Sequence, residues 1–339
     1  MDSQQEPARI LVTGAAGQIG YILSHWIASG ELYGERNIIL HLFEIPAAQK
    51  RLEGLVMELN DCAFPYLSGI VATTDPEEAF TDIDCAFLVA SVPLKPGQVR
   101  ADMLIANAPI FMNIGIWLSK FAKQTCKVLV IGNPDNTNAF VSSFCCENLK
   151  KENFTSLSLL DHNRAISEIA NKIGVDKNQV RGVIVWGNHG ETMVPDITHA
   201  TVETNGNNIP IVDFVEDKYL KEEFIEKIRH RAWDVLECRG MTSAASPSKS
   251  AIQHMKAWLF GTKPGEILSI GVIVPEDRPY GLEPGIVYSL PCTIDKNGKV
   301  HIVRDLSIQD WLQEKLKDTE KDLIKERDVA LDWLQKSNH

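Results

Sequence analysis

Arg9-Ile10-Leu11-Val12-Thr13-Gly14-Ala15-Ala16-Gly17-Gln18-Ile19-Gly20 decides the fold. An apolar, β-branched run passes through three spaced glycines into a stretch whose apolar residues recur at helical spacing as far as Ser29. That order is a strand, a tight turn and a helix, the opening half of a βαβ unit. Each glycine has its own physical reason. Gly14 permits the turn, Gly17 lets the backbone approach a diphosphate, and Gly20 lets the helix pack close to its strand. The helix N-terminus beyond them attracts negative charge.

Working outward, Ile38 to Glu44, Gly69 to Thr73, Asp84 to Ala90 and Lys127 to Ile131 repeat the apolar strand pattern. Between them Ala47 to Asn60 and Ala101 to Ala122 repeat the amphipathic helical one. Alternation of this kind gives an α/β fold with a doubly wound parallel sheet, a Rossmann domain over residues 1–156. From Ser156 the pattern changes to helices mixed with hairpins. Thr201 to Pro210 turns at Asn205-Gly206, and Leu290 to Val303 turns at Asn297-Gly298. A second, α+β catalytic domain is expected over 157–339. Its tail, Ser307 to Gln335, reads as one long charged helix lying across the outside.

Composition excludes several classes. Thirty-four Lys and Arg against 45 Asp and Glu leave a net charge of −11, which repels a phosphate backbone, so no nucleic-acid partner is expected. Apolar runs such as Cys85 to Val92 fall far short of the ~20 residues that cross a bilayer, so no membrane partner is expected either. The opening MDSQQEPARILV has no basic segment ahead of its apolar run, and the expected location is the cytoplasm. Seven cysteines without a CxxC spacing, and nine histidines without an i,i+4 pair, point to free thiols and no metal.

The glycine turn gains meaning from Glu44, at the end of the second strand and 24 residues after Gly20. A carboxylate there accepts hydrogen bonds from an adenosine ribose and repels a 2′-phosphate, which selects NAD over NADP. Gly14, Ala15, Ala16, Gly17, Gln18, Ile19, Gly20 and Glu44 are therefore the cofactor candidates. Ile131 and Asn133 join them, because the fifth strand ends at the sheet edge where open α/β proteins bind ligands. An asparagine at that edge can hold a substrate oxygen as well as a cofactor ribose.

Two further segments carry acid–base chemistry. In Asp161-His162-Asn163-Arg164 the Asp and the Arg are three apart on one helical face. In Val185-Trp186-Gly187-Asn188-His189-Gly190 a strand ends in a glycine-bounded turn that presents His189. Hydride transfer to a keto acid needs a proton donor at the carbonyl oxygen and a cation on the carboxylate. His189, oriented by Asp161, suits the first role, and the planar fork of Arg164 suits the second.

VTGAAGQIG, MELNDCAFP, VIGNPDNTN, LLDHNRA and VWGNH stand in this order along the chain. From Arg9 to about Leu334 the sequence resembles the cytosolic type of malate dehydrogenase, within the malate/lactate dehydrogenase superfamily. The resemblance implies a Rossmann lobe, a catalytic lobe, NAD as cofactor, and a homodimer or a larger assembly. It makes His189 the proton donor and acceptor and Asp161 its partner. Arg164 becomes the clamp on the substrate C1 carboxylate, Asn133 a contact to substrate and cofactor, and Asn107 a lining residue of the cofactor site.

The departure lies in Val92-Pro93-Leu94-Lys95-Pro96-Gly97-Gln98-Val99-Arg100. Malate dehydrogenases of this type resemble MPRREGMER here, with one arginine for the distal carboxylate and a second for the carbonyl. Arg100 keeps the second, and Leu94 replaces the first. Leucine suits the methyl group of pyruvate and offers no charge to the second carboxylate of oxaloacetate. The pattern is similar to lactate dehydrogenases of some anaerobic protists that are built on the malate dehydrogenase scaffold. L-lactate dehydrogenase is therefore the expected activity and malate dehydrogenase the alternative, with Lys95 the competing candidate for the missing cation. A silent NAD-binding protein on the same fold is a rival that the complete set of His189, Asp161, Arg164 and Arg100 disfavours.

Overall fold

The computed structural model describes residues 6–92, 100–204 and 206–337. The chain groups into two compact units, one made of Met1–Thr155, Ala244–Lys256 and Asp328–His339, the other of Ser156–Ser243 and Ala257–Arg327. The sequence suggests one crossing at 156/157, whereas two later segments also belong to the first unit. Apolar spacing shows that a helix has a face to bury but not which unit buries it.

In the first unit the elements alternate as β1 (Ala8–Thr13), α1 (Gln18–Ala28), β2 (Ile38–Phe43), α2 (Gln49–Asp61), β3 (Leu67–Thr73), α3 (Pro76–Phe80), β4 (Cys85–Leu88), α4 (Arg100–Phe121), β5 (Lys127–Val130), α5 (Asp135–Phe144) and β6 (Phe154–Ser156). The strand order is β6-β5-β4-β1-β2-β3. The pairings of β1 with β2, β1 with β4, β2 with β3 and β4 with β5 are all parallel. Ile10, Leu11 and Val12 of β1 and all of β4 are buried, as strands covered on both faces require. Because the strands are parallel, β1, β2, β4 and β5 all end at one edge. The order reverses between β1 and β4, the position at which doubly wound sheets bind ligands.

By length and composition α4 would pass for a membrane span, a point that reading Cys85 to Val92 as a typical long apolar run misses. Its apolar side is used for packing within this unit. Leu104, Phe111, Ile114 and Leu118 are buried, and a Cβ at Gly115 would lie 2.5 Å from the Ser142 carbonyl of α5, so the two helices meet almost backbone to backbone.

The chain continues with α6 (Leu159–Ile173), β7 (Val180–Arg181), β8 (Ile184–Trp186), β9 (Val194–Asp196), β10 (Thr201–Thr204), β11 (Asn207–Pro210), α7 (Phe224–Arg239), α8 (Ala245–Phe260), β12 (Leu268–Ile273), β13 (Val287–Ile294), β14 (Val300–Ile302) and α9 (Asp310–Ser337). Both expected hairpins form. β10 pairs antiparallel with β11, and β13 with β14, with Gly206 and Gly298 at positive φ in the turns. Ile169, Val183, Val185, Met193, Phe224 and Ile228 belong to one core of the second unit. On α9 the buried residues Leu312, Leu316, Thr319 and Leu323 follow helical spacing, so the helix lies flat with one stripe inward.

Candidate active site

One group of candidate residues is the glycine turn of the first unit. Gly14 adopts φ +64°, and its N–H donates to the Phe43 carbonyl at 3.0 Å, tying the turn to the end of β2. A Cβ on Gly14 would sit 2.9 Å from the backbone of Ala90, and one on Gly20 would sit 2.3 Å from the Gly14 carbonyl, so neither position accepts a side chain. Thr13 Oγ1 accepts from the N–H groups of Val89 and Ala90 at 3.1 and 3.3 Å, which fixes the ends of β1 and β4 to each other. Ala15 is buried and Ile19 half-buried, whereas Gly17 and Gln18 are exposed at the start of α1.

This turn fits a dinucleotide. Among the described residues no side chain caps α1, and its first turn holds no acidic residue, so the helix itself brings no carboxylate to compete with a phosphate at its N-terminus. Glu44 is half-buried beside it: Oε1 accepts from the Ala16 N–H at 3.0 Å and Oε2 from the Ile45 N–H at 3.1 Å. Two backbone donors thus aim the carboxylate, and its remaining lone pairs can accept from ribose hydroxyls. At the end of β5, buried Ile131 and Gly132 donate to the Leu88 carbonyl at 2.9 and 3.0 Å, and Asn133 follows them with its side chain exposed.

A second group, in the other unit, belongs to α6 and the turn after β8. Asp161 lies in the first turn of α6 with its carboxylate 1% exposed. Oδ1 accepts from Arg164 Nη1 at 3.0 Å, the i,i+3 contact that the sequence spacing implies. Oδ2 accepts from His189 Nδ1. Burial pushes the Asp161 carboxyl up, but the His189 imidazole and the Arg164 guanidinium outweigh this and hold it below the usual carboxylate range. With Nδ1 engaged by Asp161, any proton that this ring exchanged with a substrate would pass through Nε2. The His189 side chain is 22% exposed, so a small molecule can reach it.

The strand carrying His189 is fixed residue by residue. Ser269 Oγ accepts from the Val185 N–H at 2.8 Å, and Ser289 Oγ donates to the Val185 carbonyl at 2.6 Å. Trp186 Nε1 donates to Asp196 Oδ2 at 3.0 Å, and Gly187 exchanges two backbone hydrogen bonds with Ser289. Since Ser269 accepts from the backbone, its own hydroxyl proton is available to buried His162, whose Nδ1 lies 2.9 Å away. Burial pushes His162 down to about 4, so this ring is neutral near pH 7 and unsuited to the proton-transfer role.

The structure thus brings Asp161, Arg164 and His189 together in one unit, and it gathers the glycine turn, Glu44, Ile131 and Asn133 along one sheet edge in the other. Arg100 is the first residue of α4 and is half-buried. Leu94 lies outside the described residues. Asn107, expected as a lining residue of the cofactor site, is engaged with the backbone around it. It is fully buried, with Oδ1 accepting from the Val92 N–H at 2.8 Å and Nδ2 donating to the carbonyls of Val92 and Met103 at 3.0 and 2.8 Å. Its amide holds backbone at the end of the segment that follows β4. Ser269 and Ser289 escape sequence reasoning because a single serine in a strand carries no pattern. His162 has a signal in its position next to Asp161.

Comparison with known proteins gives the family. The model of the lactate/malate dehydrogenase NAD binding domain matches residues 8–155, and that of the lactate/malate dehydrogenase alpha/beta C-terminal domain matches 158–332. The cytoplasmic malate dehydrogenase of Taenia solium is 46% identical over 96% of this chain and 98% of its own length. Trichomonas vaginalis lactate dehydrogenase in complex with NADH and oxamate superposes with a TM-score of 0.95 at 62% identity, covering 97% of this chain and 99% of that one. An apo form of the Trichomonas enzyme with a leucine-to-arginine substitution gives 0.95 at 61% identity, with 98% and 99% covered. Matched over nearly its whole length, this chain belongs to the lactate/malate dehydrogenase family of NAD-dependent oxidoreductases.

Proposed function

We propose that the protein is an L-lactate dehydrogenase that interconverts pyruvate and lactate. The observation that carries this reading is the leucine at position 94, where the malate dehydrogenase pattern has an arginine. Oxaloacetate brings a second carboxylate that must find a partner once water is excluded. Leaving a buried charge unpartnered costs about 3–5 kcal/mol, roughly two to three and a half powers of ten in kcat/KM. Pyruvate brings a methyl group, which gains from apolar surface.

Arg164 holds the substrate C1 carboxylate through the guanidinium nitrogens that Asp161 leaves available. Arg100 polarises the carbonyl, and Asn133 holds its oxygen. His189, oriented through Nδ1 by Asp161, donates the proton from Nε2 to that oxygen as C2 is reduced, and takes it back in lactate oxidation. NADH supplies the hydride when bound at the glycine turn and Glu44. One proton and one hydride are consumed for each pyruvate.

Support also comes from the relatives. The one called lactate dehydrogenase, seen with the monocarboxylate oxamate, is 62% identical, against 46% for the Taenia solium malate dehydrogenase. The latter's name places that enzyme in the cytoplasm, the location we propose here, with a homodimer as the working assembly. Leu94→Arg tests the reading. It should raise kcat/KM for oxaloacetate and lower it for pyruvate, and an unchanged ratio would remove residue 94 from the choice of substrate.

A further inference from the structure

We infer that Thr319 and Asp322, on the C-terminal helix α9, are positioning residues for the proton-transferring imidazole of His189. The inference rests on the assignment of His189 above.

Two separate arms reach from α9 to the residue just before His189. In the first, the Asn188 N–H donates to Thr319 Oγ1 at 3.0 Å. Thr319 is fully buried, an unusual place for a hydroxyl unless it is employed. Gly187, at φ +89°, makes room for it: a Cβ there would lie 2.2 Å from Thr319 Oγ1 and 2.4 Å from its Cγ2. The glycine therefore serves the approach of the threonine as well as the turn. In the second arm, Asn188 Nδ2 donates to Thr192 Oγ1 at 2.8 Å, and the Thr192 hydroxyl donates onward to Asp322 Oδ2 at 2.8 Å. Positions 319 and 322 are three apart and share one face of the helix.

The main chain and the side chain of Asn188 are thus both anchored to α9, while Asp161 holds the His189 ring through Nδ1. Asp161 fixes which way the ring faces, and α9 fixes where its backbone starts. Proton transfer depends on both, because small misplacements of an acid–base group have large effects on rate. The long charged tail, legible in sequence as an outer helix, therefore acts on the reaction.

The test uses the full-length protein with Thr319→Val, Thr319→Ser, Thr192→Val and, as reference, His189→Asn. Each is assayed for kcat and for KM of keto acid and NADH, with Tm recorded alongside. Thr319→Val keeps the shape and removes the acceptor, and should lower kcat roughly ten- to a hundredfold with KM for NADH held within about twofold. Thr319→Ser returns the hydroxyl and should restore most of kcat. Thr192→Val cuts the second arm and should move kcat in the same direction. Parental kcat in folded Thr319→Val overturns the inference, as does a loss that merely follows the folded fraction or that serine fails to repair. Should Thr319→Val not fold, Thr192→Val decides by the same criteria. His189→Asn separates the two levels: if it retains turnover, the acid–base assignment itself is wrong. If it is inactive while the α9 variants keep parental kcat, only the positioning role is wrong.

Discussion

His189 Nδ1 donates to Oδ2 of Asp161, a carboxylate that is 1% exposed and whose other oxygen accepts from Arg164 Nη1 at 3.0 Å. One buried group thus orients both the proposed proton donor and the proposed carboxylate clamp. Asp161→Asn cannot serve both, since an amide presents one acceptor oxygen and an NH2 that opposes a second donor. Its kcat should fall about 10²- to 10⁴-fold, the range of general acid–base catalysis. Steady-state kinetics on protein of verified Tm checks this.

Arg164→Lys keeps the charge and loses the fork. In the proposed role an ammonium must choose between Asp161 and the substrate carboxylate, where a guanidinium can span both. We expect kcat/KM for the keto acid to drop about ten- to a hundredfold, the scale of one charge-assisted hydrogen bond, with KM for NADH unaffected.

Glu44 is the residue we propose to set the choice of cofactor. With its carboxylate held by the N–H groups of Ala16 and Ile45, a 2′-phosphate would meet a fixed like charge. Glu44→Ser should shift the kcat/KM ratio of NADPH to NADH upward by about tenfold, in line with removing one such repulsion near a protein surface. Parallel titrations of both cofactors measure it.

Acid should weaken the fold before it reaches the carboxylates. Burial lowers His162 from 6.5 to about 4 and His254 from 6.5 to about 3, and it lowers His41 as well. Below pH 6.5 the unfolded chain takes up protons at His162 and His254 and the folded chain does not, so stability is lost as pH falls, on the order of 1 kcal/mol per pH unit for each of these two. For His162 the loss ends near pH 4, where the folded ring also protonates. Asp161, held low, contributes stability that is present above its unfolded value of 3.8 and disappears only at lower pH. The dependence of Tm on pH between 4 and 6.5 should therefore flatten in His162→Gln.

Much of this was legible in the chain. The glycine spacing and Glu44 announce a nucleotide turn because each residue there answers to a local backbone or charge requirement, and Asp161 with Arg164 follows from helical periodicity. The strand ends are shorter than the apolar runs suggest: Asp84 to Ala90 becomes Cys85–Leu88, because Val89 and Ala90 turn away to donate to Thr13 Oγ1. What the sequence hides are contacts between distant residues. Thr319 lies 131 positions from Asn188, and nothing local marks it as an acceptor. The amide of Asn107 is spent on Val92 and Met103, a use that its place in the helix does not signal. The return of 244–256 and 328–339 to the first unit is likewise a matter of packing partners rather than of pattern.

Initial-rate NADH oxidation with pyruvate and with oxaloacetate, in one buffer and on one preparation, tests the central claim most directly. The account predicts a kcat/KM for pyruvate at least about tenfold above that for oxaloacetate, a difference of ~1.4 kcal/mol in transition-state stabilisation. A preference for oxaloacetate would contradict it, and would mean that Lys95 or another cation meets the distal carboxylate.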